Sequence, residues 1–354
     1  MAKTVLDLFC GCGGMSYGFK LAKDYNILAG IDYAPTPLLT YQHNFTNSKA
    51  ICHDLSNPNF EELSQILGTS RIDVLVGGPP CQAVSLTGKR RADDPRNKLF
   101  FSFIEMLKYF DPKAFVMENV TGLVNVQKGN LLKEIVSEFK NIGYTLSYKV
   151  LNAADYGVPQ FRKRVFFVGL KDKSFEFPQP THGKPDLFNS VKPYVTCGEA
   201  WEGLPPLDMD EEKNYPQSEY AQLMTHLGND QHTEEISNHI GTKHHSYVLD
   251  IIKMVPEGGC RQDLPEEYRN VRHYKRAYMR YSSNTPSLTV DTGHRQHFHF
   301  KYNRNPTVRE NARLQSFPDS FVFLGKKVKQ YFQVGNAVPP LLMKTIAEKL
   351  LRYL

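Results

Sequence analysis

The stretch Thr4-Val5-Leu6-Asp7-Leu8-Phe9-Cys10-Gly11-Cys12-Gly13-Gly14 decides the fold. Thr4–Phe9 reads as a buried strand, and a helical pattern opens at Met15 and runs to Ala22. The glycines between them let the backbone turn tightly and approach a ligand at the carboxyl end of a sheet. A dinucleotide fingerprint wants a third glycine at position 16, after Gly11 and Gly13. Ser16 stands there instead, which counts against NAD or FAD. Asp32 ends the second strand, about 20 residues on, where a carboxylate can bind ribose hydroxyls. Asp54 follows the third strand and could accept from an adenine amino group. This describes a nucleoside site with no demand for pyrophosphate, and S-adenosylmethionine fits it. Taken alone, such a turn is equally a structural one.

Outward from this turn, residues 3–170 alternate short apolar runs with helical patterns. Strands are expected at Thr4–Phe9, Ile27–Ile31, Ala50–Cys52, Ile72–Val76, Ala114–Met117, Ser147–Leu151 and Val165–Val168. Helices are expected at Met15–Ala22, Leu38–Asn44, Phe60–Leu67, Lys98–Phe110 and Leu131–Ile142. Alternating strands and helices predict a doubly wound, Rossmann-like α/β sheet, parallel and covered on both faces. From Lys184 to Asn305 the rhythm is lost, and no long helix is evident. Met343–Tyr353 is an amphipathic helix after Pro339-Pro340. The organisation read from this is a cofactor-binding and catalytic domain at 1–183 and a smaller irregular domain at 184–305. Residues 306–354 would return to the first.

The composition agrees with a globular chain: 354 residues, 41% hydrophobic and 23% charged. That length predicts two domains, or one large domain with an insertion. No stretch approaches the ~20 apolar residues of a membrane span, so no membrane association is expected. Met1–Val5 runs straight into a strand pattern, so no signal peptide is expected and the cytoplasm is the expected address. In such a compartment the six cysteines are not expected to pair. Cys10-x-Cys12 has the wrong spacing for the usual zinc sites, and no metal is expected. The net charge of +6 is uneven. Residues 261–330 hold 14 Lys/Arg against 6 Asp/Glu, and residues 181–260 hold 5 against 13. A basic segment studded with Tyr, Phe and His is the footprint of a phosphate-backbone binder, or simply a solvated surface.

Gly77-Gly78-Pro79-Pro80-Cys81-Gln82 follows the fourth strand. Two prolines hold the backbone extended beside a cysteine at the ligand-bearing edge of the sheet. As thiolate, a cysteine can attack an electron-poor carbon. A lone cysteine is more often a small buried hydrophobe, but here it ends a strand in a rigid loop. The stretch from Ser85 to Asn97 carries Lys89, Arg90, Arg91 and Arg96 and reads as a basic loop able to close over a phosphate backbone. Glu118-Asn119-Val120 ends the fifth strand, where a carboxyl could share the cleft with Cys81. Alternation puts Gln160, Arg162 and Arg164 on one face. Two arginines on one sheet face need anionic partners, expected to be Glu118 or the ligand.

Six segments, in this order, resemble the DNA cytosine-5 methyltransferase family of the bacterial restriction–modification type. They are Phe9-Cys10-Gly11-Cys12-Gly13, Pro79-Pro80-Cys81-Gln82, Glu118-Asn119-Val120, Gln160-x-Arg162-x-Arg164, Arg309 to Pro318, and Gln333 to Pro340. The resemblance implies that Cys81 attacks carbon-6 of a cytosine flipped out of the duplex, so that carbon-5 takes the methyl group of S-adenosylmethionine. Glu118 would bind ring nitrogen-3 and the amino group, Arg164 the base carbonyl, and Arg162 would help hold Cys81 and Glu118. Phe9, Gly11, Gly13, Asp32, Tyr33, Asp54, Pro80, Leu99, Asn336 and Val338 match the cofactor pocket. Asp32 stands where Glu is common and Val84 where an aromatic is frequent.

The stretch from Lys184 to Asn305 matches the family's target-recognition region in position only. Its basic half carries Arg272, Lys275, Arg276, Arg280, Arg295, Lys301 and Arg304 with His294, His297 and His299. These are expected on bases or, mostly, phosphates. The DNA contacts implied are Ser85, Lys89, Arg90, Arg91, Arg272, Arg276 and Arg295. A monomer acting on double-stranded DNA is expected, with a cognate restriction endonuclease sharing the site. Two other functions compete: an RNA (tRNA) cytosine-5 methyltransferase, which shares fold and cysteine, and a catalytically dead binder. Gln82 and the ~120-residue insert favour DNA, because a duplex reader needs a domain of its own.

Overall fold

The computed structural model describes residues 2–80, 98–125, 130–184, 190–205, 207, 217–228, 236–269, 278–293 and 297–354. The chain forms two compact units. The first holds Met1–Asn152, Lys163–Gln179 and Val338–Leu354; the second holds Ala153–Arg162 and Pro180–Ala337. The second unit thus takes in 153–162 and 306–337 as well as the irregular stretch.

The strands begin with β1 (Lys3–Leu8), β2 (Tyr25–Asp32), β3 (Lys49–Cys52) and β4 (Val74–Gly77). They continue with β5 (Ala114–Val120), β6 (Thr145–Asn152), β7 (Gln160–Phe161) and β8 (Lys163–Leu170). Among the described residues of the first unit, seven strands form one sheet in the order β3-β2-β1-β4-β5-β8-β6. β1 to β5 are parallel. β4 is buried along its whole length, as expected of a strand covered on both faces. The winding reverses between β1 and β4, where Leu8 pairs with Gly77. In open α/β sheets ligands bind outside the carboxyl ends of the strands at such a switch point.

The expectation of a purely parallel sheet is corrected at one edge. β8 runs antiparallel to both β5 and β6. The connection from Asn152 to Lys163 carries only a 3-10 turn, Ala153–Tyr156, and the short β7. It is too short for the dozen-residue crossover that a parallel neighbour requires.

Helices α1 (Gly14–Leu21), α2 (Pro35–Asn44), α3 (Phe60–Leu67), α4 (Lys98–Phe110), α5 (Gly122–Asn125) and α6 (Asn130–Asn141) alternate with the strands. α3 starts because the Asn59 side chain accepts from Glu62 N at 3.2 Å, and it stops at Gly68, whose φ is +73°. Leu6, Leu8, Ile31, Leu75, Phe115 and Phe167 build one core with Leu63 of α3, Phe103 of α4 and Ile135 of α6. Alternation sends Val5 and Val76 to the opposite face, also fully buried. α1 packs closely against the last helix, Pro340–Leu351. A Cβ on Gly18 would sit 2.4 Å from the Met343 Cβ, so only glycine allows the approach.

Short helices replace the expected irregular chain in the second unit: α7 (Cys197–Trp201), α8 (Glu219–His226), α9 (Ser246–Met254) and α10 (Glu266–Arg269). α11 (Val308–Leu314) is buried at every residue. Its charged side chains work inward: Arg313 forks onto the Asp319 carboxylate at 2.9 and 2.6 Å. Arg309 donates to Pro318 O and Phe321 O at 2.7 and 2.6 Å. α12 (Lys327–Asn336) completes the unit, and α13 (Pro340–Leu351) belongs to the first. Among the described residues no helix is long and apolar enough to cross a membrane.

Candidate active site

The glycine turn sits at the carboxyl end of β1. Phe9, Gly11 and Gly13 all take positive φ, at 56°, 54° and 95°. For Phe9 that conformation is strained, and such residues concentrate at functional sites. A Cβ at Gly11 would meet nothing within 4 Å, so the turn presents bare backbone to open space. At Gly13 it would strike the Phe45 and Tyr41 rings at 2.5 and 2.9 Å.

Two carboxylates hold the turn. Asp32 accepts from Gly11 N and from Ala34 N, each at 2.9 Å. It therefore stands beside the turn, at the carboxyl end of β2. Asp7 is buried beneath it and accepts from Ser16 N at 3.2 Å and Ser16 Oγ at 2.6 Å. The Ser16 hydroxyl continues to Tyr41 Oη at 3.0 Å. Burial pushes the Asp7 carboxyl up to about 7, against the pull of its bonds from Ser16. Ser16, which excludes a dinucleotide fingerprint, is thus the partner of this buried acid.

Tyr33 follows Asp32 and is 75% exposed. Asp54 is exposed, and bonds from Ser56 N and Oγ hold its carboxyl below the usual range. Leu99 lies half-buried in the first turn of α4. A bare glycine edge, a carboxylate at the end of β2 and an open aromatic next to it fit a nucleoside cofactor. Asn336 is exposed at the end of α12 in the second unit, and Val338 is buried in the first.

The carboxyl ends of β4 and β5 carry the second half of the site. Arg164 Nε meets Glu118 Oε1 at 2.9 Å across the β5–β8 pair, with both side chains largely buried. Of the two partners expected for the arginines, Glu118 or the ligand, Arg164 meets Glu118. The other carboxylate oxygen faces the chain after β4: a Cβ on Gly78 would lie 3.4 Å from Glu118 Oε2. Asn119 is buried and donates from Nδ2 to Pro79 O at 3.0 Å. Prolines 79 and 80 lack amide donors of their own, so a side-chain donor fixes this turn. Sequence reasoning missed Asn119; the Pro-Pro pair was the signal that a donor had to come from elsewhere. Pro80 is exposed and leads to Cys81.

Cys81, Ser85, Lys89, Arg90, Arg91, Arg272, Arg276 and Arg295 lie outside the described residues. Gln160 and Arg162 are buried while Phe161 is 38% exposed, as the alternation predicts. Both belong to the second unit. There Arg162 Nη1 donates to Val290 O at 3.4 Å.

Three residues expected on nucleic acid turn inward. Arg280 spends all of its donor atoms on the protein. Nε donates to Val255 O at 2.7 Å, Nη1 to His299 O at 2.9 Å and Tyr302 O at 3.3 Å, and Nη2 to Ile252 O and Asn303 Oδ1. Arg304 forks onto Glu310 at 2.8 and 2.7 Å, and both are buried. His299 is buried between them and against Trp201, and burial pushes its imidazole down to about 3, so it is neutral. Local composition counts positive charge but not its direction, and these three build the second unit from inside. Arg280 closes the carbonyl end of α9, where helix carbonyls lack partners. Arg280→Met is expected to cost about 3–5 kcal/mol, because several buried carbonyls would lose their donor. The urea midpoint of unfolding checks this; an unchanged midpoint would show that water replaces the guanidinium.

A mostly parallel α/β sheet with a glycine turn and an acidic second-strand end at its switch point defines the S-adenosylmethionine-dependent methyltransferase class. Residues 3–352 match the C-5 cytosine-specific DNA methylase family, and the chain belongs to it. The Type II methyltransferase M1.HphI of Haemophilus parahaemolyticus is 40% identical across 99% of this chain and 87% of its own. M.DdeI of Desulfomicrobium norvegicum is 35% identical across 99% and 89%. Among solved structures, a putative DNA modification methyltransferase encoded within a prophage (E. coli) superposes with a TM-score of 0.79 at 25% identity, covering 99% of both chains. The S. pombe Dnmt2 methyltransferase shares the fold, with a TM-score of 0.60 at 17% identity over 99% of this chain and 98% of that one. The chain is accordingly a DNA cytosine-5 methyltransferase.

Proposed function

We propose that this enzyme methylates one cytosine within a short double-stranded sequence, by base flipping and a covalent Cys81–cytosine intermediate. The observation that carries this reading is the Glu118 carboxylate. It is held by Arg164 at 2.9 Å and faces the Gly78–Pro80 turn that leads to Cys81. Carbon-6 is inaccessible inside a base stack, so the target base must leave the duplex. The Cys81 thiolate adds to carbon-6, and the carbon-5–carbon-6 pair of electrons is displaced toward carbon-5. Glu118 hydrogen-bonds ring nitrogen-3 and the exocyclic amino group, favouring protonation of the ring as the thiolate adds. Arg164 contacts the base carbonyl while orienting Glu118, and Arg162 supports the pair. S-adenosylmethionine, when bound, would supply an electrophilic methyl group to carbon-5, leaving S-adenosylhomocysteine as product. Loss of the carbon-5 proton to solvent then expels the Cys81 thiolate and restores the double bond.

Phe9, Gly11, Gly13, Asp32, Tyr33, Asp54, Pro80, Leu99, Asn336 and Val338 would hold the cofactor, with Asp32 toward the ribose and Tyr33 against the adenine. Ser85, Lys89, Arg90, Arg91, Arg272, Arg276 and Arg295 would meet the DNA. The enzyme would act as a monomer and protect its host's DNA from a restriction endonuclease that cuts the same site. Kinship with Type II methyltransferases across nearly the whole chain supports this role. Bisulfite sequencing of DNA from a methylation-free host expressing the enzyme is the test. Protected cytosines are expected in one short motif. No protected cytosine from folded protein would overturn the DNA reading and make tRNA the next substrate.

A further inference from the structure

Two buried glutamines lie outside the chemistry assigned above. Gln160 and Gln315 are both fully buried. Gln160 Nε2 donates to Gln315 Oε1 at 2.8 Å and to Leu314 O at 3.1 Å. Gln315 Nε2 donates onward to Val334 O at 2.7 Å and Ala337 O at 3.2 Å. The remaining Gln160 atom, Oε1, accepts from Val290 N at 2.9 Å. Each amide group therefore has its partners in a dry interior, where such networks are stiff and costly to break in part.

The network ends on one residue. Val290 is gripped at its N–H by Gln160 and at its C=O by Arg162. Thr289 Oγ1 also donates to Phe161 O at 3.0 Å, and Ser287–Leu288 pair with β7. On the other side, a Cβ on Gly335 would stand 2.2 Å from Asp291 O, so the backbone there has no room to shift. Beyond that grip the chain surfaces at Thr292 and Gly293, which are exposed. All these residues lie in the second unit.

We infer that Gln315, acting through Gln160, is a positioning residue for methyl transfer that holds the Thr289–Thr292 segment in fixed register with β7 and the adjoining Arg162. This rests on the DNA cytosine-5 reading. The exposed lip at Thr292–Gly293 and Arg162 then move as one piece. A base placed by the first is placed for the second.

The test is Gln315→Met, which keeps length and bulk but removes the amide. Four quantities are measured on the full enzyme: single-turnover transfer at the site found by bisulfite sequencing, the ratio of that rate to the rate on a site with one base pair changed, the cofactor Kd, and hydrogen exchange at the Val290 amide. Transfer is expected to fall about 10–100-fold, since a displacement near 1 Å can cost that much. The site ratio should fall with it, Val290 exchange should quicken, and the cofactor Kd should stay within about twofold. Transfer and site ratio within about twofold of the unsubstituted enzyme, per folded molecule, would overturn the inference. If Gln315→Met does not fold, Gln160→Glu decides, because it retains the acceptor for Val290 N and loses the donor to Gln315. It is expected to show the same loss of transfer and site ratio; a normal rate, or failure to fold as well, would reduce the pair to a fold-holding network. An unsubstituted enzyme that methylates no cytosine would instead overturn the DNA reading beneath the inference.

Discussion

Cys81→Ser leaves no methylated cytosine in the genome of an expressing host, yet the purified protein still retains DNA in a gel-shift assay. A serine hydroxyl is a far weaker nucleophile than a thiolate near neutral pH. Losing the attacking atom removes the whole route, so the expected fall is about 10⁴-fold or more. The substitution deletes no charge and changes one atom, so cofactor and DNA affinities should hold within a few-fold. Persistent methylation at the same motif would remove Cys81 from the reaction and leave Glu118 without its proposed partner.

Glu118→Gln separates acid–base work from shape. The amide keeps the outline of the carboxyl group but cannot give or take the proton that ring activation requires. It also leaves Arg164 without the carboxylate it meets at 2.9 Å. General acid–base groups contribute about 10²–10⁴-fold, and a loss in that range is expected in single-turnover transfer. The pair is largely buried, so losing the carboxylate should also cost folding stability, and transfer is read per folded molecule. Cofactor affinity, read by calorimetry, should stay constant, because the Gly11 edge and Asp32 lie at the carboxyl ends of β1 and β2 rather than on β5. Weakened cofactor binding with an unchanged transfer rate would assign Glu118 to the wrong half of the site.

Much of this architecture is legible in the sequence because apolar periodicity is a local signal. α3 and α4 occupy the residues that the pattern picks out, Phe60–Leu67 and Lys98–Phe110, and each of the seven expected strands appears with ends shifted by a few residues. The glycine turn and the pairing of Arg164 with Glu118 were readable for a related reason, since both follow from strand ends and side-chain alternation. What escaped depends on neighbours far away in the chain. The direction of β8 is set by a short connection whose own pattern is weak. Arg280 and Arg304 look like any surface arginine until the carbonyls and the carboxylate around them are seen. Asn119 and Gln315 gain their roles only from Pro79, and from Gln160, Val334 and Ala337. An amide side chain announces none of these partners in sequence.

The interrupted course of the polypeptide through its two units carries a consequence for how the enzyme is made. By the time residue 337 has been added, the ribosome has delivered the whole second unit, but the first still lacks α13. Until α13 emerges, the face of α1 around Gly18 lacks the helix that packs against it. The nascent enzyme therefore completes its second unit before its first. A message truncated ahead of α13 would yield a protein with a complete second unit and an incomplete first one, the unit that carries the glycine turn.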